Sequence, residues 1–218
     1  MSAPAKFDRL ARFYRWMEYL SFGPYLQQCR CLRLEEMACC QRALVYGDGD
    51  GRFLVKMVRR VPEIRATAVD ASRKMLLQLA QQLPSQAQVQ LVHGDALDYA
   101  AAGSLDAPFD LIVSHFFLDC FNEVQIASLL GRVNAAAKKS ALWVVSDFAV
   151  PQRMPGRLVG SFIVRGLYIA FGLLTGLRAR RLPDHARVMR ASGWVLEDRR
   201  ELLAGLLISE CWRRDVSP

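Results

Sequence analysis

The chain has 218 residues, of which 52% are hydrophobic and 23% are charged, and its formal net charge is +8. These proportions are ordinary for a globular protein with one substantial core, and they exclude a low-complexity chain. The arginines are spread along the sequence and no nucleic-acid-binding motif accompanies them, so we expect a solvated basic surface and no nucleic-acid partner.

Residues 1–40 are predicted to form an N-terminal helical cap. The first of them mix charged and apolar side chains and do not resemble a signal peptide, so we expect a cytoplasmic protein whose six cysteines are reduced thiols. The cysteines at 29, 31, 39 and 40 lack the spacing of the usual zinc patterns, and we predict no metal site.

A short apolar run that begins at Leu44 leads into three glycines at alternate positions, Gly47, Gly49 and Gly51. Glycine has no Cβ and tolerates positive φ, so it suits a loop whose backbone approaches a ligand closely. The next residues have helical apolar spacing, and a helix start beside a glycine loop favours a polar ligand. The dinucleotide fingerprint G-x-G-x-x-G fails, because its third position is not glycine in either register.

Strands and helices alternate beyond this loop. The predicted strands are Arg65–Val69, Val89–His93, Asp110–Ser114 and Ala141–Asp147, and the predicted helices are Ser72–Leu83 and residues 123–137. This alternation indicates a parallel sheet that is covered by helices on both faces.

The last part of the chain has a different pattern. A helix over Pro183–Ser192 is followed by strands over Trp194–Arg199 and Leu206–Trp212, which are joined closely enough to permit only an antiparallel hairpin. We therefore predict a single α/β domain, doubly wound, with a mostly parallel seven-stranded sheet and an antiparallel C-terminal hairpin.

Acidic residues follow two of the predicted strands. Asp70 ends the second strand, where its carboxylate either accepts both hydroxyl hydrogens of a ribose or caps the next helix. Asp95 follows the third strand and is either a ligand contact or an exposed turn residue. Because ligands bind at the carboxyl ends of strands in open α/β sheets, we favour the ligand roles.

The glycine loop resembles motif I of the class I S-adenosylmethionine-dependent methyltransferases, and Phe109–His115 resembles their motif IV, whose end faces the reactive methyl group. The resemblance implies the Rossmann-like methyltransferase fold and S-adenosyl-L-methionine as cofactor. It also implies that Asp95 accepts a hydrogen bond from the adenine amino group while the next backbone N–H, that of Ala96, meets a ring nitrogen. The candidate cofactor-binding residues are Gly47, Asp48, Gly49, Gly51, Asp70, Ala71, Asp95, Ala96 and Ser114.

Motif I departs from the family at one position. Many members carry an acidic residue two places before the first glycine, where this chain has Val45. Acidic residues stand in the loop instead, at Asp48 and Asp50. The contact to the methionine ammonium group is therefore made either by Asp48 or by a backbone carbonyl.

A closer resemblance, to the ubiquinone and menaquinone C-methyltransferase-like (type 11) group, appears at both ends of the chain. It rests on Phe7-Asp8…Tyr14…Ser21-Phe22-Gly23 and on Leu182-Pro183-Asp184…Ser192-Gly193-Trp194. Those enzymes have an Arg-Asn pair shortly after the motif IV serine, where this chain has Leu118-Asp119. We thus predict methyl transfer to a small lipophilic acceptor, with quinone-ring C-methylation as one alternative and a non-catalytic cofactor-binding regulatory or scaffold protein as another.

Two residues after motif IV are candidates for catalysis. His115 is a candidate base, since an ordinary histidine pKa of about 6.5 suits proton transfer near neutral pH. Packing beside the cofactor is the alternative. Asp119 is a second base or an anchor for the substrate. The candidate substrate-binding residues are Tyr14, Tyr19, Phe117 and Phe162.

The nearly apolar segment Arg157–Gly176 contains four glycines and a central arginine, which argue against a membrane span. We expect either a lid over a lipophilic pocket or a helix that touches a membrane surface. The domain then divides into the cap, a cofactor-binding half over 41–150, an apolar lid insert over 151–182, and a C-terminal helix and hairpin over 183–218.

Overall fold

The computed structural model of the chain describes residues 22–101, 108–151 and 182–214. Residues 1–21 of the predicted cap and residues 152–181 of the predicted insert lie outside the described residues, and four features named above fall within them. They are Tyr14, Tyr19, Phe162 and the apolar segment Arg157–Gly176.

Seven strands in the described ranges form one sheet. They are β1 (Arg42–Tyr46), β2 (Arg65–Asp70), β3 (Gln88–His93), β4 (Phe109–His115), β5 (Ala137–Phe148), β6 (Trp194–Leu202) and β7 (Leu207–Arg214). Their order is β3-β2-β1-β4-β5-β7-β6, and β7 pairs antiparallel with both of its neighbours while the other pairs are parallel. The predicted doubly wound, mostly parallel sheet with an antiparallel C-terminal hairpin is confirmed.

Six α-helices accompany the sheet in the described ranges. They are α1 (Tyr25–Cys31), α2 (Leu54–Arg60), α3 (Arg73–Gln82), α4 (Ala96–Ala101), α5 (Glu123–Ala136) and α6 (His185–Ala191). Side-chain caps explain several of their starts, because a cap accepts a backbone N–H that has no partner inside the helix. Ser72 caps α3 by accepting from the Met75 backbone N–H at 3.3 Å, and Asn122 forms a capping box with Gln125 at the start of α5.

The core lies on both faces of the sheet because the central strands are buried on each side. Leu44, Ile112 and Trp143 pack beneath α5 on one face. Val45 and Val113 pack against α2 on the other face. Successive residues of β1 and β4 thus point to opposite cores, which is the burial expected of parallel strands that are covered twice. In the described part of the chain, no helix has both the length and the apolar character of a membrane span.

Strand β5 is longer than its apolar run predicted. It starts at Ala137 and includes the polar residues Lys138 to Ser140. Ala137 pairs with Phe109 and Leu142 pairs with Leu111, so the residues of β5 between these two pairs interrupt the ladder with β4. The early start of β5 therefore depends on the single pair of Ala137 with the neighbouring strand, and no local hydrophobic pattern predicts it.

The order of the strands reverses between β1 and β4. Along the chain, β2 and β3 are added on one side of this pair, while β5 is added on the other. The loops that follow β1 and β4 therefore leave the sheet toward opposite faces, and ligands of open α/β sheets bind where the strand order reverses in this way. The glycine loop follows β1, and the segment from His115 to Phe121 follows β4.

Candidate functional site

The three glycines of the loop after β1 all adopt left-handed backbone conformations, with φ of +64° at Gly47, +63° at Gly49 and +83° at Gly51. A Cβ at Gly47 would lie 2.5 Å from Cδ2 of Phe117, and a Cβ at Gly51 would lie 2.3 Å from Cδ1 of Leu79. A Cβ at Gly49 would meet no atom within 4 Å. The outer glycines are therefore required by packing, whereas the middle one borders open space.

Asp70, at the end of β2, holds this loop in place. Its Oδ2 accepts a hydrogen bond from the Gly49 backbone N–H at 3.3 Å, and its Oδ1 accepts one from the Ser72 backbone N–H at 2.8 Å. The carboxylate thus links the glycine loop to the turn that starts α3. The cap of α3 is Ser72 and not Asp70, whose carboxylate instead holds the Ser72 backbone in place, and the ribose role stays a prediction.

Asp48 fixes the start of α2 with one of its oxygens. Its Oδ2 accepts from the Leu54 backbone N–H at 2.9 Å, while its Oδ1 is buried and has no hydrogen-bond partner. Burial raises the pKa of this carboxyl to about 7, although the Leu54 N–H and the charge of Arg30 lower it. An acceptor left in this state is destabilising unless a ligand supplies a donor.

Asp95 stands at the start of α4, one strand further along the same edge. Its exposed side chain accepts from the Leu97 backbone N–H at 2.9 Å, and the next residue, Ala96, is buried. The backbone carbonyl of Ala71, which follows β2, lies 3.2 Å from Nε2 of His93 and accepts a hydrogen bond from that ring nitrogen when it carries the proton. The predicted cofactor-binding residues from Gly47 to Ala96 therefore follow three adjacent strands at one edge of the sheet.

Ser114 lies near the end of β4 and is almost fully buried. Its Oγ accepts a hydrogen bond from Trp143 Nε1 at 2.9 Å. The hydroxyl is thus used in the core, so any contact with a cofactor would have to come from the backbone of this residue.

His115 ends β4 and is 3% exposed. Both of its ring nitrogens are buried without a hydrogen-bond partner, and its ring packs edge-to-face on Phe53 with 4.4 Å between centroids. Burial, together with the charge of Arg30, holds the pKa of His115 well below its usual 6.5. The imidazole is therefore neutral near pH 7, but its lowered pKa makes it a weaker base than the ordinary value on which the sequence-based prediction rested.

Asp119 lies in the short 3-10 turn Leu118–Cys120 that follows β4. Its backbone N–H donates to Oδ2 of Asp147 at 3.2 Å. Asp147 is 1% exposed near the end of β5, and both burial and the charge of Asp119 raise its pKa well above the ordinary value. The sequence reasoning missed Asp147, although it follows an apolar strand just as Asp70 does.

Phe117 stands between the glycine loop and the segment after β4. Its ring stacks on Tyr46 at 5.5 Å between centroids and meets Phe121 edge-to-face at 5.0 Å. The preceding residue, Phe116, has a φ of +52°, which is rare for a bulky side chain. Such strain is found at functional sites. Of the four predicted substrate-binding residues, Phe117 is the one that lies in the described ranges, and it lies next to this strained position.

Across residues 22–101, 108–151 and 182–214, no three His, Cys, Asp or Glu side chains converge as a metal site. All six cysteines carry free thiols.

Comparisons with known proteins place this geometry in context. Residues 43–140 match the family model described as a methyltransferase domain. The mitomycin 7-O-methyltransferase MmcR aligns with a TM-score of 0.66 at 16% identity, covering 88% of this chain and 55% of MmcR. RosA from Streptomyces davawensis is an N,N-8-amino-8-demethyl-D-riboflavin dimethyltransferase. It aligns with a TM-score of 0.65 at 19% identity, and the alignment covers 90% of this chain and 56% of RosA.

A third solved structure is covered over most of its length. Magnesium protoporphyrin IX methyltransferase (ChlM) from Synechocystis PCC 6803, with bound SAH, aligns with a TM-score of 0.62 at 13% identity, covering 88% of this chain and 84% of ChlM. No curated protein sequence matches the chain.

Likeness at these identities shows the fold, which is the Rossmann-like fold of methyltransferases. The chain spans little more than half the length of MmcR and RosA. For the matched domain, the predicted class of methyltransferase and its cofactor, S-adenosylmethionine, are supported, whereas the quinone-enzyme subgroup is not confirmed.

Proposed function

We propose that the chain transfers a methyl group from S-adenosylmethionine to a small, lipophilic acceptor. The observation that carries this proposal is the loop after β1, in which Gly49 borders open space while Gly47 and Gly51 are packed closely. Asp70 and Asp95 lie at the ends of the next two strands. An adenosyl ligand suits this arrangement, because its atoms can approach the loop backbone closely and two carboxylates follow along the same edge of the sheet.

The residues at this edge would divide the cofactor between them. Asp70 would hold the ribose hydroxyls, while Asp95 and the Ala96 backbone N–H would hold the adenine. Ala71 and the glycine loop would border the rest of the molecule. When bound, the cofactor supplies a methyl group that is already activated by its sulfonium, so the protein has to align the acceptor and remove a proton where necessary.

His115 is the candidate base that we propose for proton removal. Its neutral ring has two nitrogens without hydrogen-bond partners, so one can accept a proton once an acceptor molecule reaches it. Asp119, beside the buried Asp147, is the second candidate. Phe117 would contribute an apolar wall together with Tyr14, Tyr19 and Phe162, and the segment Arg157–Gly176 would act as a lid or as a membrane contact.

The nature of the acceptor rests on indirect support. Three neighbours are named for mitomycin, a riboflavin derivative and magnesium protoporphyrin IX, which are small molecules with ring systems. Ring C-methylation of a quinone stays an alternative prediction. So does a non-catalytic cofactor-binding role. We also propose a cytoplasmic location, with which six free thiols agree.

Two measurements test this function. Isothermal titration should show binding of S-adenosylmethionine and of its product, S-adenosylhomocysteine, with NAD(P) at least tenfold weaker. Incubation with methyl-labelled cofactor and a small-molecule extract of the native host should then move label into an organic-soluble product. Tight NAD binding would overturn the cofactor assignment, and binding without any transfer would favour the non-catalytic alternative.

A further inference from the structure

The two carboxylate oxygens of Asp48 have different surroundings. The fold uses Oδ2 to receive the Leu54 backbone N–H at 2.9 Å, and it leaves Oδ1 buried without a partner. We propose that Oδ1 of Asp48 accepts a hydrogen bond from the ammonium group on the methionine part of the cofactor. This inference rests on the proposed function and deepens it, because it names the residue that recognises the amino-acid part of the ligand.

The position of Asp48 suits this role. It stands between Gly47 and Gly49, and the second of these borders the open space of the loop. The bond to Leu54 fixes the orientation of the carboxylate, so Oδ1 does not have to be ordered when a ligand arrives. A preorganised anion of this kind binds a cation without the entropy loss of immobilising a flexible side chain.

The neighbouring side chains are less suited. Val45, at the position where many family members have an acid, is 1% exposed and packs in the core against α2. Asp50 forms a salt bridge with Arg52 at 2.9 Å, and its backbone carbonyl accepts from Gln82. The acidic side chain near the first glycine therefore stands in the loop, at Asp48, and not on β1, where many family members have it.

Both a cation and an anion act on the carboxyl group of Asp48. Arg30 faces it from α1 and lowers the pKa of its carboxyl, while Asp50 faces it from the same loop and raises that pKa. The thiol of Cys31 on α1 also interacts with it, and backbone N–H groups of Phe53 and Leu54 lie on the side of α2. Burial has the largest effect and raises the pKa to about 7. A bound ammonium group would favour the ionised form, so cofactor binding and protonation of Asp48 should compete.

Two adenosyl ligands separate the ammonium contact from the rest of the site. S-adenosylhomocysteine has the ammonium group, whereas 5′-methylthioadenosine keeps the adenosyl thioether and lacks the amino-acid part. We would titrate both into the wild-type chain, Asp48→Asn and the matched loop variant Asp50→Asn at pH 7.5. Asp48→Asn should weaken S-adenosylhomocysteine at least tenfold and 5′-methylthioadenosine by less than about twofold, because only the first ligand meets a lost anion. Asp50→Asn should change neither by more than about twofold.

The pH dependence of the wild-type chain gives an independent readout, and it needs no variant to fold. With a pKa of about 7, the ionised fraction of Asp48 falls about eightfold between pH 7.5 and pH 6.0. The affinity for S-adenosylhomocysteine should fall by about that factor, while that for 5′-methylthioadenosine should stay level.

The outcomes are distinct. Absence of S-adenosylhomocysteine binding to the wild-type chain would refute the proposed function itself. Normal wild-type binding that is unchanged in Asp48→Asn would overturn the ammonium contact, and equal weakening of both ligands would make Asp48 a structural cap of α2. A level pH profile for S-adenosylhomocysteine would also overturn it.

Discussion

Alanine substitutions in the glycine loop separate backbone strain, steric overlap and ligand contact. Gly49→Ala should destabilise the fold by about 1–2 kcal/mol, because an L-residue is forced into the left-handed region and its Cβ meets no atom within 4 Å. Gly51→Ala should add about 1–3 kcal/mol to the same strain, because its Cβ would lie 2.3 Å from Cδ1 of Leu79. Urea unfolding monitored by circular dichroism measures both values.

Cofactor affinity should follow a different order from stability. The new methyl group of Gly49→Ala would enter the open space that we assign to the ligand, so we expect S-adenosylhomocysteine to bind at least tenfold more weakly. Gly193→Ala is the matched control. Gly193 has a φ of +84°, an added Cβ would meet no atom within 4 Å, and the residue follows α6, far along the chain from the glycine loop. This variant should lose similar stability and keep wild-type affinity. If Gly49→Ala also kept full affinity, the assignment of the open space to the cofactor would be refuted.

Three further substitutions test other parts of the molecule. Asp70→Ala should reduce the affinity for S-adenosylhomocysteine by about 1.5–3 kcal/mol in titration calorimetry, and an unchanged affinity in a folded variant would leave Asp70 only the role of holding the glycine loop and Ser72. His115→Phe removes two buried nitrogens that have no hydrogen-bond partners, so the stability of the fold should stay level or rise by about 1 kcal/mol. The rate of methyl transfer should fall, and transfer at the wild-type rate would exclude His115 as the base. Glu210→Gln should lower stability by about 3–5 kcal/mol, because the buried Glu210 carboxylate binds His185, Trp212 and Arg199. Burial raises the pKa of Glu210, but the hydrogen bonds from His185 and Trp212 bring it below the usual 4.5. The stabilisation by this carboxylate should therefore be present above pH 4.5 and lost at more acidic pH, as measured by urea unfolding of the wild-type chain. The same loss of stability in acid by Glu210→Gln would contradict this reasoning.

The order of the elements was predictable because each strand has its own hydrophobic run and its own turn. Ser72 shows this at the level of a single residue, since the predicted helix start is the observed cap. The ends of the strands were equally informative: parallel topology brings the loop after β1 together with Asp70 and Asp95, so three separate motifs became neighbours.

Burial and pairing across the sheet could not be predicted in the same way. The sequence placed His115 at a strand end but gave no sign that both ring nitrogens are buried without partners. Asp147 and Glu210 have carboxylates whose contacts come from distant segments, with Asp119 and His185 respectively. A local pattern contains no information about which face such a side chain occupies, or about what packs over it.

The position of β7 has a consequence for synthesis of the chain. It pairs with β5 over Leu142 to Phe148 and separates β5 from β6, although it is the last described strand to be made. As the chain leaves the ribosome, the edge of β5 stays open until β6 and β7 have both emerged, and the fully buried residues Val144 and Val145 lie along it. An open apolar edge of this kind pairs readily with other chains, so a nascent chain that stalls before Leu207 would present a template for aggregation.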